Sequence, residues 1–422
     1  MSKIFVQIAS YRDYLLESTI EDMISNAKNP KNLVIAIARQ YHPDDKFDTL
    51  DKWRKDKRFK ILDIPYNETE GVCWARNLTQ QLYDGEEYTL QIDSHMRFEK
   101  HWDVTLIKMI KDLQKAGHPK PLLTGYVTSF DPDNDPNGRG KEPWRMLFDR
   151  FIPEGAVFFL PDAIKDWQSL TLPVPARFYS AHFCFTLGQF SIEVQHNPEY
   201  YFHGEEISIA ARAYTYGYDL FHPHRLTVYH EYTRKNRTKQ WDDDKEWTEK
   251  NRKSHLINKK LFGMDGLTQE GHDGLFGFGK VRTLRDYERY AGMLFERRAI
   301  QEETINHTYP PNTYNYESEQ DWLNSFSSVF KHCIDVSYSS VPEKDYDFWV
   351  VAFHDENDET IHRADADKNE INRMLNDPDK YCKVWREFNA VRQPKYWVIW
   401  PHSESKGWCD RLTGQLNHNN VS

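Results

Sequence analysis

An aspartate and a histidine stand two residues apart directly after an apolar run of the chain. Asp93 and His95 follow Tyr88–Ile92, and on an extended backbone residues i and i+2 point to the same side. Their carboxylate and imidazole can therefore converge on one point. A divalent cation such as Mn²⁺ accepts mixed oxygen and nitrogen ligands, whereas Ca²⁺ and Mg²⁺ prefer oxygen. By itself, an Asp-x-His pair is more often a helix-capping aspartate and a surface histidine than a metal site.

A third metal ligand would have to come from elsewhere in the chain, and His230 is a candidate. It lies in Val228–Tyr232, a run of β-forming residues beyond Pro223. On its own, a histidine at a strand end is more often a hydrogen-bonded structural residue. The role of His230 therefore depends on whether the fold brings it to Asp93 and His95.

Two other groups of charged residues stand at predicted helix starts. Glu205 and Glu206 precede the amphipathic run 207–214, where carboxylates suit the helix dipole. The alternative interpretation has one of these carboxylates pointing into a cleft, toward sugar hydroxyls or an acceptor. Arg76, near the start of a second predicted helix, could pair with phosphate oxygens or could be an exposed helix residue.

The elements that would position these residues alternate between strand and helix in the first third of the chain. Helical spacing of apolar residues predicts helices over 17–26 and 74–83. Apolar runs predict strands over 4–9, 33–38, 59–64 and 88–92. This alternation predicts an α/β fold, a mixed but mostly parallel sheet with helices on both faces. Ligands of such sheets bind beyond the carboxyl ends of the strands, where Ser10–Asp13 and Asp93–His95 fall.

The pattern changes after about residue 300. Turn-forming residues predict a linker over 301–320, and short β-forming runs follow at 346–353, 361–365, 384–388 and 396–400. Closely spaced short strands are typical of a small antiparallel β domain. We therefore expect an α/β domain over 1–300 and a β-rich accessory domain over 321–422. A second run of turn formers, over 131–144, predicts a mobile surface loop.

Composition narrows the class of protein. The chain has 422 residues, of which 14% are aromatic, which argues against intrinsic disorder. Its 65 acidic against 55 basic residues give a net charge of −10, which disfavours a non-specific nucleic-acid binder. No run reaches the ~18 apolar residues of a membrane span, so we expect no membrane partner. Five widely spaced cysteines suggest neither a zinc site nor a disulfide framework, and they favour a cytoplasmic protein.

Six stretches of the chain, taken in order, resemble one family. They are 8–13 (IASYRD), 73–76 (CWAR), 90–98 (LQIDSHMRF), 203–208 (HGEEIS), 229–232 (YHEY) and 281–288 (VRTLRDYE). Together they resemble the GlcNAc glycosyltransferase family typified by the cytoplasmic hydroxyproline N-acetylglucosaminyltransferases. The resemblance covers about residues 1–300, and residues 310–422 and the loop at 131–160 lie outside it.

The resemblance implies a GT-A fold, a UDP-sugar donor such as UDP-GlcNAc, retention at the anomeric carbon and a divalent metal, Mn²⁺ with Mg²⁺ as the alternative. It also implies roles for individual residues. Metal ligation falls to Asp93, His95 and His230, and donor contacts to Ser10, Tyr11, Arg12, Arg76, Asp93 and Ser94. Glu205 and Glu206, with Arg76, match the catalytic groups at the donor–acceptor junction. The implied acceptor is a hydroxyl group on a protein, such as hydroxyproline.

Three alternatives remain open at the level of sequence. The same donor chemistry could act on a hydroxylated nucleobase in DNA, with basic residues of the C-terminal domain on the duplex: Lys383, Arg386, Arg392 and Lys395. The Asp and His residues could serve a metal-dependent hydrolase or phosphotransferase. The chain could also be a binding module whose aromatic β domain recognises carbohydrate or a partner.

Overall fold

The computed structural model describes residues 2–152, 154–267, 273–376 and 381–416, which form two compact units. The first runs to Gly292 and takes in Glu303–Thr313, and the second holds Met293–Glu302 and the described residues from Tyr314 on. Each unit has its own apolar core. None of the described helices combines the length and the apolar character needed to cross a bilayer.

The strands of the first unit are mostly short, and most of them join one sheet. They are β1 (Ile4–Tyr11), β2 (Leu33–Tyr41), β3 (Phe59–Pro65), β4 (Tyr88–Asp93), β5 (Met96–Phe98), β6 (Pro121–Thr124), β7 (Trp144–Phe151), β8 (Val157–Ala163), β9 (Val174–Pro175), β10 (Phe183–Leu187), β11 (Asp219–His222) and β12 (Val228–His230). The strands predicted from apolar runs are therefore present, each ending one to three residues later than predicted.

Helices of the first unit follow the same alternation. They are α1 (Leu16–Asn26), α2 (Val72–Gln80), α3 (Trp102–Lys115), α4 (Phe190–Glu193), α5 (Glu205–Thr215), α6 (Gln240–Asp243), α7 (Trp247–Phe262), α8 (Leu284–Ala291) and α9 (Glu302–Ile305). Helix α2 begins two residues before the predicted start because Gly71, with φ of 125°, turns the chain into it. A Cβ at Gly71 would lie 2.9 Å from the backbone of Tyr201, so this tight approach requires glycine.

An eight-stranded sheet in the order β3-β2-β1-β4-β10-β6-β11-β9 forms the centre of the first unit. Strands β3, β2, β1 and β4 are parallel, whereas β10 runs antiparallel to both β4 and β6. Strands β1 and β2 are buried along most of their length, as expected for apolar runs covered on both faces. The predicted mixed α/β sheet is confirmed. Its other half, in which β6 and β11 are parallel and β9 and β10 run antiparallel to their neighbours, comes from residues 121–222, where the sequence pattern predicted no strands.

A two-stranded sheet of β5 and β12 lies beyond the carboxyl end of β4. In its antiparallel register His230 pairs with Met96 and Val228 pairs with Phe98. The amide of Glu231 also donates to the carbonyl of His95, at 3.2 Å. This small sheet joins two segments that are more than a hundred residues apart in sequence.

The second unit consists of antiparallel sheets, which confirms the predicted β-rich C-terminal region. Its elements are β13 (Met293–Leu294), β14 (Ala299–Ile300), α10 (Glu319–Asn324), β15 (Ser327–Ser337), β16 (Tyr346–His354), β17 (Thr360–Arg363), β18 (Ala366–Asp367), α11 (Lys368–Leu375), β19 (Tyr381–Ala390), β20 (Tyr396–Ser403), β21 (Gly407–Trp408) and β22 (Leu412–Gln415). One sheet has the order β13-β14-β15-β19, and the other has β16 and β20 at its centre. Apolar side chains of both sheets, such as Ile334, Val384 and Trp349, share one core.

Two of the basic residues considered for a DNA duplex are held by carboxylates of the second unit. Arg386 forms an ion pair with Glu370, at 2.7 Å. Arg392 pairs with Asp355, at 2.6 Å, and also with Glu359. These guanidinium groups are therefore already engaged within the protein, which weakens the case for a duplex acceptor.

Candidate active site

Three candidate metal ligands from two distant segments meet at the carboxyl end of β4. Asp93 is the last residue of β4, His95 follows it by two residues, and His230 is the last residue of β12. Ligand atoms of all three lie within 4.8 Å of one another. The Oδ2 atom of Asp93 is 3.3 Å from Nε2 of His230 and 3.6 Å from Nε2 of His95. The sequence left open whether His230 approaches Asp93 and His95, and in the fold it does.

Backbone pairing on both sides fixes His230. Its strand pairs with β5, and its own amide donates to the carbonyl of Thr128, at 3.0 Å, while its carbonyl accepts from the amide of Phe130, at 3.2 Å. The imidazole is buried, and burial lowers the pKa of His230 to about 4. A neutral imidazole is the form that binds a metal.

Asp13 orients the second histidine. It lies just after β1, is 2% exposed, and its Oδ2 accepts a hydrogen bond from Nδ1 of His95, at 2.7 Å. Because a carboxylate accepts only, this bond places the His95 proton on Nδ1 and leaves the Nε2 lone pair facing Asp93 and His230. Burial alone would raise the pKa of Asp13, but the hydrogen bond from His95 and the nearby charges lower it to about 2.

The donor set fits a divalent cation. One carboxylate and two imidazoles match the mixed oxygen and nitrogen shell that Mn²⁺ and related ions accept. The histidine tautomer fixed by Asp13 is also the one that a metal site requires. Asp93, His95 and His230 can therefore hold a metal without rearrangement of the backbone.

A buried arginine links the carboxylate of Asp93 to the acidic pair. Arg76 of α2 is 5% exposed; its Nη2 lies 3.0 Å from Oδ1 of Asp93 and its Nη1 3.6 Å from Oε1 of Glu205. Burial by itself would raise the pKa of Asp93, but the hydrogen bond to His230 and the charge of Arg76 hold it well below its usual value. Asp93 is therefore ionised and available as a ligand.

Glu205 and Glu206 form the first turn of α5 and face the same cleft as the candidate metal ligands. Oε1 of Glu206 accepts from the amide of Ala181, at 3.0 Å. Burial raises the pKa of both carboxyl groups; Arg76 opposes the shift at Glu205, and the charge of Glu205 adds to the shift at Glu206. The pair is therefore poised to share a proton near neutral pH.

An aromatic wall joins the histidine ligand to the acidic pair. The rings of His230 and His182 stack at 4.3 Å, and the rings of His182 and Tyr126 stack at 5.3 Å. The hydroxyl of Tyr126 lies 3.5 Å from Oε2 of Glu206. His182 is itself held by Ser180, at 3.0 Å, so this wall is rigid and forms one side of the cleft.

The cleft has a volume of about 540 Å³ and lies beyond the carboxyl ends of β1 and β4. Of the residues predicted beside a uridine, only Tyr11 lines it, whereas Ser10 is fully buried at the end of β1. Arg12 is held by ion pairs to Asp45 and Asp243, each at 2.8 Å. Ser94 lines the cleft, but its hydroxyl donates to Asp13, at 2.7 Å.

Sequence reasoning placed Asp13 at the ligand-binding edge of the sheet but gave it no role, and it missed Arg237 and Tyr126. Arg237 pairs with Glu231, at 2.8 Å, and contacts His95 and Asp13. The predicted placement of Asp13 near Asp93 is confirmed, because β1 and β4 are parallel neighbours that pair through Ala9 and Asp93. Arg237 and Tyr126 lie in irregular segments, where no periodicity marks them.

Comparison with protein families identifies the family to which the chain is similar. The model of a family described as Glycosyltransferase (GlcNAc) matches residues 3–59 and 46–297 of the chain. A search of curated protein sequences finds no match.

Two solved structures resemble this chain to different degrees. The crystal structure of GalNAc-T7 with UDP, GalNAc and Mn²⁺ matches 100% of this chain and 73% of its own, with 11% identity and a TM-score of 0.50. That of TarS from S. aureus with UDP-GlcNAc matches 61% of this chain and 66% of its own, with 11% identity and a TM-score of 0.38. The likeness to the first structure concerns the fold alone, and it confirms the GT-A architecture that the sequence motifs implied.

Proposed function

This chain belongs to the GlcNAc glycosyltransferase family, and we propose that it is a metal-dependent, retaining transferase acting on a UDP-sugar. The sugar is GlcNAc or a close analogue, and the acceptor is a hydroxyl group on a protein, such as hydroxyproline. The residues 1–300 carry this chemistry, and 321–422 form an accessory domain.

One observation carries the proposal. Asp93, His95 and His230 converge within 4.8 Å in a cleft that also holds two buried carboxyl groups. Two of these ligands come from one loop and the third from a strand far along the chain. Nε2 of His230 lies 3.3 Å from Oδ2 of Asp93, so the ligand from the distant segment faces the first two across the cleft.

Asp93, His95 and His230 would hold a divalent cation, Mn²⁺ in preference to Mg²⁺, and such a cation supplies Lewis-acid stabilisation to a departing diphosphate. Arg76 lies beside this position and adds a fixed positive charge in a water-poor site, where it counts for more than in bulk water. Tyr11 and Ser94, which line the cleft, would contact the donor. Ser10 and Arg12 do not line the cleft, so the uridine contact proposed for this segment falls to Tyr11.

The acidic pair lies where the donor sugar and the acceptor would meet. In the transfer, the anomeric carbon loses its bond to a phosphate oxygen and gains one to the acceptor oxygen, whose proton leaves with the diphosphate. Glu206, oriented by the amide of Ala181, would hold a sugar hydroxyl, and Glu205, beside Arg76, would stabilise positive charge on the ring. Retention follows if the acceptor approaches on the face that the diphosphate leaves.

We place the protein in the cytoplasm. The described part of the chain contains no disulfide, which suits a reducing compartment. A hydroxylated nucleobase is the less favoured acceptor because Arg386 and Arg392 are held in ion pairs within the second unit.

The test is a screen of nucleotide-sugars with the purified protein and Mn²⁺. Thermal unfolding reports binding, because a ligand of the native state raises the melting temperature, and release of UDP reports donor hydrolysis. We expect UDP-GlcNAc or a related UDP-sugar to stabilise the protein and to be hydrolysed slowly. Hydroxyproline peptides should accelerate UDP release.

Two variants serve as controls for the screen. His230→Ala should abolish metal-dependent turnover, whereas His307→Ala, outside the cleft, should leave it unchanged. A protein that responds to no nucleotide-sugar, or that releases phosphate without one, would exclude the transferase and favour a hydrolase or phosphotransferase.

A further inference from the structure

A continuous strip of aromatic rings lines the cleft outside the candidate metal site. Its members come from the β7–β8 hairpin, from the segment before α5 and from the segment that includes α6. All of them line the cleft, and the rings are half-buried. The strip consists of Arg150, Phe158, His203, Phe202, Trp241 and Arg234.

Neighbouring members of the strip are in contact throughout. The rings of Phe158 and His203 lie 5.6 Å apart, those of His203 and Phe202 4.9 Å, and those of Phe202 and Trp241 5.4 Å. Such separations are typical of packed aromatic pairs. The rings therefore form one surface rather than scattered hydrophobic positions.

An arginine lies at each end of the strip. The guanidinium of Arg150 is 4.9 Å from the ring of Phe158, and that of Arg234 is 5.5 Å from the ring of Trp241. Arg150 pairs with Asp149. Arg234 is exposed, and within the described ranges no acidic side chain forms an ion pair with it. The Arg234 end therefore presents an available positive charge.

The middle of the strip adjoins the acidic pair. His203 and Gly204 directly precede Glu205 and Glu206, at the start of α5. A molecule lying along the rings would therefore bring one of its groups to these carboxyl groups. This is the point at which an acceptor hydroxyl must be delivered if the proposed function holds.

We propose that the strip binds the acceptor, and that the acceptor is an extended, proline-containing polypeptide segment with an acidic side chain at the Arg234 end. This inference rests on the proposed function. Proline-rich segments dock on aromatic-lined grooves because their extended helix is formed in advance and loses little entropy on binding. A polyproline helix advances about 3.1 Å per residue, so the ring-to-ring steps accommodate about five residues.

Charge favours a polypeptide over a nucleic acid. Asp149 stands beside one end of the strip, and Asp243 lies two residues from Trp241. Each of these carboxylates already pairs with an arginine, Asp149 with Arg150 and Asp243 with Arg12. Among the described residues of the strip, Arg234 is therefore the charge left available, and one charge suits a single acidic side chain better than a continuous phosphate backbone. Nucleic-acid binding through stacked bases is therefore an outcome for the test rather than the expectation.

The test compares hydroxyproline peptides that carry glutamate or lysine near the acceptor residue. Steady-state kinetics give the KM of each peptide and of the donor, and calorimetry gives peptide affinity without donor. Phe158→Ala and Trp241→Ala should each raise the peptide KM about tenfold or more and leave the donor KM unchanged. Arg234→Glu should reverse the preference between the two peptides.

Trp247→Ala is the matched control, because this indole is 38% exposed and lies outside the cleft. It should change neither KM. Arg234→Glu alters only an exposed side chain, so it tests the proposal even if a ring variant fails to fold. A rise in donor KM in the ring variants would assign the strip to the nucleotide, and oligonucleotide binding in place of peptide binding would also overturn the proposal.

The calorimetric measurement separates two failures. Peptide binding that depends on Phe158 and Arg234, with no donor hydrolysed, would contradict the proposed function and leave the strip as a peptide site. Donor hydrolysis with peptide affinity that is indifferent to these residues would contradict the strip alone.

Discussion

Replacing Asp13 by asparagine should weaken metal binding while leaving every candidate ligand in place. The carboxylate accepts three close hydrogen bonds, from Nδ1 of His95 and the hydroxyl of Ser94, both at 2.7 Å, and from the amide of Leu15, at 2.9 Å. An asparagine can keep the bond from Leu15 through its carbonyl oxygen. Its amide group then faces His95 as a donor.

The expected loss of metal affinity in Asp13→Asn follows from the tautomer of His95. A donor opposite Nδ1 favours protonation of Nε2, so the nitrogen that faces Asp93 and His230 would carry a proton instead of a lone pair. Loss of such a supporting carboxylate typically costs 10–100-fold in metal affinity, or about 1.4–2.7 kcal/mol. Calorimetric titration of the folded variant with Mn²⁺ measures this directly.

Asp103→Asn is the control for burying an amide in place of a carboxylate. Asp103 is also 2% exposed and accepts two backbone hydrogen bonds, from Lys28 and Asn29, both at 2.8 Å, but it lies outside the cleft. It should lose stability without losing Mn²⁺ affinity. Wild-type Mn²⁺ affinity in Asp13→Asn would refute the orienting role of this carboxylate.

Three other predictions concern stability. Arg76→Met should lower the free energy of unfolding, measured with urea, by about 3–5 kcal/mol, because Asp93 and Glu205 would lose the guanidinium group that neutralises them. A loss below about 1 kcal/mol would contradict this role of Arg76. Burial lowers the pKa of His222 to about 4, so the unfolded chain takes up a proton on this imidazole first as the pH falls. Between pH 7 and pH 5 the wild type should therefore lose about 2 kcal/mol more stability than His222→Gln, a comparison in which the acidic pair contributes equally. Equal losses in the two proteins would exclude a buried neutral imidazole at this position. Gly71→Ala should lower the melting temperature more than Gly85→Ala does. Both glycines have positive φ, but only at position 71 would a Cβ lie against backbone atoms. Equal losses of melting temperature would show that only the strain in φ matters.

The fold was predictable where the sequence has a strong period. The runs that became β1 and β2 are apolar on both faces, and that pattern predicts strands of a parallel sheet. Strand β10 escaped prediction because Phe183–Leu187 is short and follows an irregular segment. Its antiparallel placement between β4 and β6 depends on tertiary pairing, which no local pattern records.

The site was predictable as residue types but not as geometry. Asp93 and His95 share one side of a short extended segment, so local spacing was informative. The approach of His230 depends on the β5–β12 register, which involves contacts across more than a hundred residues. His230 was therefore predicted from the resemblance to the family and not from local spacing. The fold shows that the pairing of β12 with β5 brings it close to Asp93 and His95.

The residues that hold the candidate metal ligands in position were the hardest part of the site to predict from the sequence. Arg237 reaches His95 and Asp13 from an irregular segment after β12, and it is held there by Glu231. The sequence alone predicts that charged residues in an irregular segment, such as Arg237 and Glu231, are solvent-exposed. Only the packing of the loop against the cleft reveals that their side chains are buried.

Pulsed electron paramagnetic resonance of the Mn²⁺-loaded protein tests the central claim most directly, because it detects nitrogen nuclei bound to the metal. The arrangement of Asp93, His95 and His230 predicts couplings to two histidine nitrogens in the wild type and to one in His230→Ala. A spectrum without nitrogen couplings, or one that His230→Ala leaves unchanged, would contradict the account.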